Sequence, residues 1–213
     1  MSSQQKYWDN KIKIWSDSSY RRRNGQFNLI EYIAGFFRGP INGRLLIAYK
    51  FLCPLVKDKI LADFGCGTGE FCFRILRCKP QRIIGMDISS VAVKEASRKA
   101  ASQGISKNLF FIQKDIAKSN LPYFNYAVGL GFIDYLSEEE LKLLFKKLKG
   151  KKFFFSFPEK KLSLINFFHL IYLKLQNCPG AYKYSKEEFK RIIPADMPYH
   201  FYEEDRMQFL TNL

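Results

Sequence analysis

Three carboxylates and three glycines carry most of the chemical information in this 213-residue chain. An apolar run over 60–64 holds Asp63 near its end, and Gly65, Gly67 and Gly69 follow at alternate positions. Asp87 stands near the end of a second apolar run, 82–88, and Asp115 closes a third, 108–115. A glycine-rich turn between a strand and a helix admits a ligand where a Cβ would clash, and it aims helix N-terminal N–H groups at that ligand. Acids at the ends of neighbouring strands accept hydrogen bonds from sugar hydroxyls. Together they describe a nucleotide-type cradle.

The spacing narrows the nucleotide. The third glycine of G-x-G-x-x-G would fall at position 70, which is Glu70, and no Lys followed by Ser or Thr closes the turn. The dinucleotide fingerprint and the Walker-type phosphate loop are both excluded. What remains, D-x-G-x-G-x-G after an apolar strand, resembles motif I of the class I S-adenosylmethionine-dependent methyltransferases. The resemblance covers roughly Ile60 to Pro158. It implies an α/β fold: a Rossmann-like, doubly wound, seven-stranded sheet, mostly parallel with an antiparallel last strand, and helices on both faces.

The resemblance also implies S-adenosylmethionine as cofactor and no metal. Asp63, Gly65, Cys66, Gly67, Thr68 and Gly69 would come from the first strand and turn, with the glycines under the methionine end. Asp87, expected on the ribose, and Ile88 would come from the second strand. Asp115, beside the adenine amino group, and Ile116 would come from the third, and Leu130 from the fourth. Each acid alone reads equally well as the cap of a following helix. All three in this order beside the glycine turn favour the cradle.

Regular elements must position these groups. Strands are expected at 60–64, 82–88, 108–115, 126–130 and 152–157, alternating with helices, which implies a parallel sheet with right-handed crossovers. Ser89 and Ser90 cap a helix stopped by Gly104, and Ser137 with Glu140 forms a capping box, as does Ser185 with Glu188. Lys146, Lys147 and Lys149 at a helix C-terminus suit the dipole and need no ligand. Two helical patterns, 29–37 and 45–56, precede the first strand. Residues 1–56 are therefore expected as a helical lid over the cofactor, with simple packing against the sheet as the alternative. Residues 57–213 form the methyltransferase domain, with an aromatic helical insertion at about 160–182 and a closing hairpin over 199–202 and 207–210.

Methyl transfer from a sulfonium requires donor and acceptor to be held close and in line, an effect worth roughly 7–11 kcal/mol. No fixed triad is needed, and only some acceptors require a base. Asp134 and Tyr135, just past the fourth strand, and His169, on the aromatic helix, are the candidate catalytic groups. For Asp134 a helix-approach carboxylate, and for His169 a packed core histidine, are the competing readings. Enzymes of the family that methylate adenine or amide nitrogens carry Asn or Asp, then Pro-Pro and an aromatic, after the fourth strand. Here that stretch is GLGFIDYL, which argues against those acceptors.

The chain holds 35 basic and 20 acidic residues, a net charge of +15. Anionic partners are therefore candidates, with solubility as the bland alternative. Apolar aromatic segments beside the Arg21–Arg22–Arg23 run favour a peripheral membrane-surface association over nucleic acid. A small-molecule acceptor, apolar or lipid-linked, is the leading expectation, followed by an RNA methyltransferase and then a non-catalytic cofactor-binding protein. The five cysteines show no C-x-x-C pair, so neither disulfide nor zinc site is expected. The longest apolar stretches are interrupted by polar residues, so none is expected to cross a bilayer and a cytoplasmic location is the default.

Overall fold

The computed structural model describes residues 2–20, 43–158, 182–205 and 207–213; for 13–20 only the backbone is considered. The expected insertion with His169, the Arg21–Arg23 run and the 29–37 pattern lie outside the described residues. In chain order the elements are α1 (Ser3–Tyr20), α2 (43–52), β1 (Ile60–Phe64), α3 (Glu70–Ile75), β2 (Arg82–Asp87), α4 (Ser90–Ser102) and β3 (Leu109–Gln113). Then follow β4 (Tyr126–Leu130), α5 (Glu138–Lys147), β5 (Lys152–Phe157), α6 (Lys186–Ile192), β6 (His200–Glu204) and β7 (Met207–Thr211).

The seven strands form one sheet in the order β3-β2-β1-β4-β5-β7-β6. Strands β1 to β5 run parallel, and β7 is antiparallel to both of its neighbours. The last strand is thus the reversed one, as the resemblance implied. The order turns outward in both directions from β1 and β4, and a crevice opens at their C-terminal ends.

Each face of the sheet is covered by its own core. Phe64, Phe145, Phe153, Phe155 and Phe189 are fully buried in one, and Leu52, Leu61, Ile75, Phe154 and Phe209 in the other. Successive residues of β5 serve opposite faces, as the period of two along a strand requires. Burying each such side chain contributes about 1.5–3 kcal/mol. The helix starts follow the predicted chemistry: Ser89 Oγ accepts from the Ala92 amide, and Ser137–Glu140 and Ser185–Glu188 form complete capping boxes. Lys147 does more than complement a helix end. Its Nζ donates to the carbonyls of Ile116 (3.1 Å), Ser119 (2.8 Å) and Ala117, fastening α5 to the loop after β3.

Within the segment expected as helical, 1–56, an 18-residue helix stands ahead of the two patterns that the sequence marks. One expectation is corrected. Cys53 and Cys78, 25 residues apart, form a disulfide. No motif spacing announces that pair. It arises because the turn after α2 and the 3-10 turn after α3 flank the same short bridge, Lys57 with Pro80, where the Asp58 amide donates to the Lys79 carbonyl at 3.1 Å. Among the described residues no helix is long and apolar enough to cross a membrane.

Candidate functional site

The turn between β1 and α3 is built around three left-handed residues. Gly65, Gly67 and Gly69 have φ of 69°, 53° and 84°, values that L residues with a Cβ rarely adopt. A Cβ on Gly65 would lie 3.2 Å from Phe132, and one on Gly69 would lie 2.7 Å from the Phe111 ring. The turn is pinned to β2: the Gly65 and Cys66 amides donate to the Met86 carbonyl at 2.8 and 3.1 Å. Thr68 and Cys66 are buried within it.

Asp87, at the end of β2, reaches the turn directly. Its Oδ2 accepts from the Gly67 amide at 2.8 Å and its Oδ1 from the Ser89 amide at 2.9 Å. Burial raises its pKa, and the two amides work against that rise. An ionised carboxylate has about four acceptor positions, so two remain for a ligand's hydroxyls. Asp63 faces away from the edge. It is 3% exposed, and its Oδ2 accepts from the Cys72 thiol of α3 at 3.1 Å. Burial pushes its carboxyl up to about 7, against the thiol's hydrogen bond, and the charge of Asp87 adds to the rise. Burial likewise pushes the Cys66 and Cys72 thiols up.

Asp115 lies two residues beyond β3, where its Oδ1 accepts from the Lys118 amide at 3.2 Å. With Ile88, Gln4 and Glu140 it lines a cavity of about 310 Å³ under the start of α1. The side chain of Ile116 is in the hydrophobic core, so only its backbone is near the site, and Leu130 is half-buried at the end of β4.

Past β4, Gly131 has φ 74°, and a Cβ there would collide with the Arg44 guanidinium of α2. Asp134 follows in a 3-10 turn. Burial pushes its carboxyl up to about 6, with Arg44 pulling the other way. Its Oδ1 is buried without a hydrogen-bond partner, as is Arg44 Nε. Tyr135 stands next to it, with Trp8 edge-on to its ring at 5.1 Å.

Helix α1, within the segment expected as a helical lid, lies across this arrangement. Asp9 Oδ1 accepts from Ser89 Oγ at 2.7 Å and from the Val91 amide at 3.2 Å, tying α1 to the start of α4. Ile12 is buried, with its Cδ1 3.6 Å from where a Cβ of Gly67 would be. Gln4 Nε2 donates to the Tyr135 carbonyl at 2.7 Å. The helix therefore spans the crevice from the β2 side to the β4 side. In the sequence its apolar residues, Tyr7, Trp8, Ile12, Ile14 and Trp15, are scattered among polar ones and mark no helix ends.

The arrangement fits a nucleoside-type cofactor: a turn in which side chains would fill the cradle, a carboxylate with free acceptor capacity, and a cavity beside Ile88 and Asp115. Among the described residues no cluster could hold a metal ion.

Residues 61–150 match the family described as methyltransferase domain. A ribosomal protein L11 methyltransferase from Tolumonas auensis is 34% identical over 65 residues, 30% of this chain and 22% of that one. A tRNA U34 carboxymethyltransferase from Campylobacter fetus is 32% identical over 108 residues, 49% of this chain and 37% of that one. The chain thus spans well under half the length of these relatives. The magnesium protoporphyrin IX methyltransferase of Synechocystis PCC 6803, solved with bound SAH, superposes with a TM-score of 0.73 at 17% identity, covering 98% of both chains. At that identity the likeness is one of fold.

Proposed function

We propose that this chain, whose residues 61–150 match the methyltransferase-domain family, is a class I S-adenosylmethionine-dependent enzyme that methylates a small-molecule acceptor with apolar or lipid-linked character. One observation carries the acceptor class: α1 lies on the cofactor turn, with Ile12 3.6 Å from the Cβ position of Gly67. It is also tied down on both sides of the crevice, by Asp9 and by Gln4. A folded macromolecule could reach such a site only after the roof had lifted.

S-adenosylmethionine, bound in the cradle, supplies an electrophilic methyl group and a neutral thioether leaving group. The residues of the chain hold and orient. The glycine turn lets the backbone approach, Asp87 offers two acceptor positions to the ribose, and Ile88 with Asp115 borders the adenine end. Helix α1 excludes water. On the acceptor side Trp8, Tyr135 and Phe132 offer apolar walls, and Asp134 offers a buried carboxylate whose Oδ1 has no hydrogen-bond partner among the described residues. With its pKa near 6, Asp134 is ionised at neutral pH and can take the proton of an acceptor hydroxyl.

RNA as acceptor is the second reading, favoured by the likeness to enzymes named for tRNA and by the charge of +15. Incubating the purified protein with methyl-labelled S-adenosylmethionine and, separately, small metabolites, lipids and total RNA decides between them. Label in the metabolite or lipid fraction is expected. Label confined to RNA would establish the second reading, and no label anywhere with the cofactor bound would indicate a non-catalytic binding protein.

A further inference from the structure

The two edges of the sheet differ in charge: the acids at the C-terminal edge have cations among them, Lys118 on Asp115 and Glu140 and Arg44 beside Asp134. Asp9, Asp87, Asp115, Asp134 and Glu140 gather at the C-terminal edge, around the crevice. The opposite edge is basic. Lys107 precedes β3, Arg82 opens β2, Lys59 precedes β1 and Lys152 opens β5, and all four are exposed. The strand pairings place them side by side: Arg82 is in register with Ile60, and Lys152 with Tyr126. With strands about 4.8 Å apart, the row extends about 19 Å from β3 to β5. Lys57 and Lys79, both exposed, extend it at the bridge before β1.

Helix dipoles explain part of such a bias, because crossover helices end at this edge and cations suit their last turns. Lys57, Lys59, Arg82, Lys107 and Lys152 belong to loops and strand starts, so that account does not reach them. Little opposes them: Asp58 lies among them, and Asp196 is already ion-paired with Lys149. Two aromatic rings stand out at the same edge. Tyr123 is 65% exposed with Lys151 Nζ 4.4 Å from its ring centre, and Phe110 is 40% exposed with the Arg82 guanidinium at 5.1 Å.

We propose that this basic edge is a binding surface for single-stranded or looped RNA, with the cations tracking phosphates and Tyr123 and Phe110 offering stacking faces for unpaired bases. Cations interleaved with exposed rings are the recurring composition of sequence-tolerant single-strand binders. An anionic bilayer shares the charge requirement. It would also call for an apolar helix face to insert, and among the described residues this edge has scattered apolar groups, Tyr123, Phe110 and Leu55, and no such face. The surface lies at the far end of the strands from the crevice, so RNA held there does not occupy the cofactor site. It anchors the protein and leaves the acceptor open, so the inference stands or falls separately from the proposed reaction.

The test uses the full chain, a labelled 20-nucleotide single-stranded RNA, and fluorescence anisotropy from 50 to 300 mM KCl. Each phosphate contact on a single strand contributes about −0.7 to the slope of log affinity against log salt. The triple variant Lys59→Glu, Arg82→Glu, Lys107→Glu is expected to bind at least tenfold more weakly at low salt and to lose about 2 from that slope. Tyr123→Ala should weaken binding several-fold and leave the slope unchanged. Calorimetry with S-adenosylmethionine, unchanged in the triple variant, confirms that it is folded. Equal RNA affinity in the triple variant and the parent would overturn the proposal. So would absence of RNA binding at 50 mM KCl, with or without charge-dependent co-sedimentation on phosphatidylserine vesicles.

Discussion

Asp87 and Gly67, twenty residues apart, are joined by a 2.8 Å hydrogen bond from the Gly67 amide to Oδ2, while the other carboxylate oxygen holds the Ser89 amide. One side chain therefore sets the shape of the glycine turn and the start of α4 together, before any ligand arrives.

Replacing Asp87 with Ala removes an acceptor from both amides and two lone-pair positions from the ribose. Hydrogen bonds to a charged group contribute about 1.5–3 kcal/mol each, so S-adenosylmethionine affinity should fall about tenfold or more, and the melting temperature should fall with it. Asp87→Asn, which keeps one amide oxygen, should fall between. Isothermal calorimetry and thermal unfolding measure the two effects; an unchanged dissociation constant in Asp87→Ala would remove this strand end from the pocket.

Gly69 and Gly104 separate backbone strain from steric collision. Both have positive φ, 84° and 68°, but a Cβ at Gly69 meets Phe111 at 2.7 Å and one at Gly104 meets nothing within 4 Å. Gly104→Ala should cost about 1 kcal/mol in chemical denaturation, the cost of a left-handed L residue. Gly69→Ala should cost clearly more, because the ring must also move. Equal losses would mean that Phe111 yields freely.

The tie between α1 and α4 is expected to govern cofactor escape. Asp9→Ala deletes the acceptors for Ser89 Oγ and the Val91 amide. In stopped-flow dilution S-adenosylmethionine should leave several-fold faster, and limited proteolysis should cut within α1 sooner. Unchanged release and cleavage rates would mean that α1 is held by packing alone and does not gate the site.

Asp63 should make the protein less stable as pH rises. Its carboxyl is pushed from 3.8 up to about 7 in the folded chain. Between about pH 4 and 7 the folded state therefore holds the proton that the unfolded chain has released, and stability falls across that window until it levels off above 7. Asp134, raised to about 6, acts in the same direction up to that pH. Asp63→Asn, which keeps an acceptor for Cys72, should flatten the melting-temperature profile between about pH 4 and 7. An identical slope in the variant would show that Asp63 is not the titrating group.

Much of this was legible because the signals were local. The strands at 60–64, 126–130 and 152–157 are continuous apolar runs, and the capping boxes at Ser137 and Ser185 are fixed by residues three apart. The closing hairpin, expected at 199–202 and 207–210 from the resemblance more than from any local signal, is found at 200–204 and 207–211. The placing of helix α1 was not legible, because its contacts, polar at Ser89 and Tyr135 and aromatic between Trp8 and Tyr135, lie 80 to 131 residues away. The burial of Asp63 was equally hidden. Strand position alone does not reveal that its carboxyl turns toward Cys72 instead of the crevice. The charge was visible as a total but not as a polarity, which only the strand order creates.

The Cys53–Cys78 disulfide turns the chain from the end of α2 to the end of α3 into a covalent ring. Inside that ring lie β1 and the whole glycine turn, so the segment that defines the cradle is topologically a closed circuit while the helix that roofs it is an open arm. A single cleavage within 65–69 would leave the polypeptide in one piece on a non-reducing gel and release two under reduction. The same cut anywhere in α1 would detach the arm at once. The parts that hold and cover the ligand thus differ in connectivity as well as in packing: one can be broken without being lost, and the other cannot.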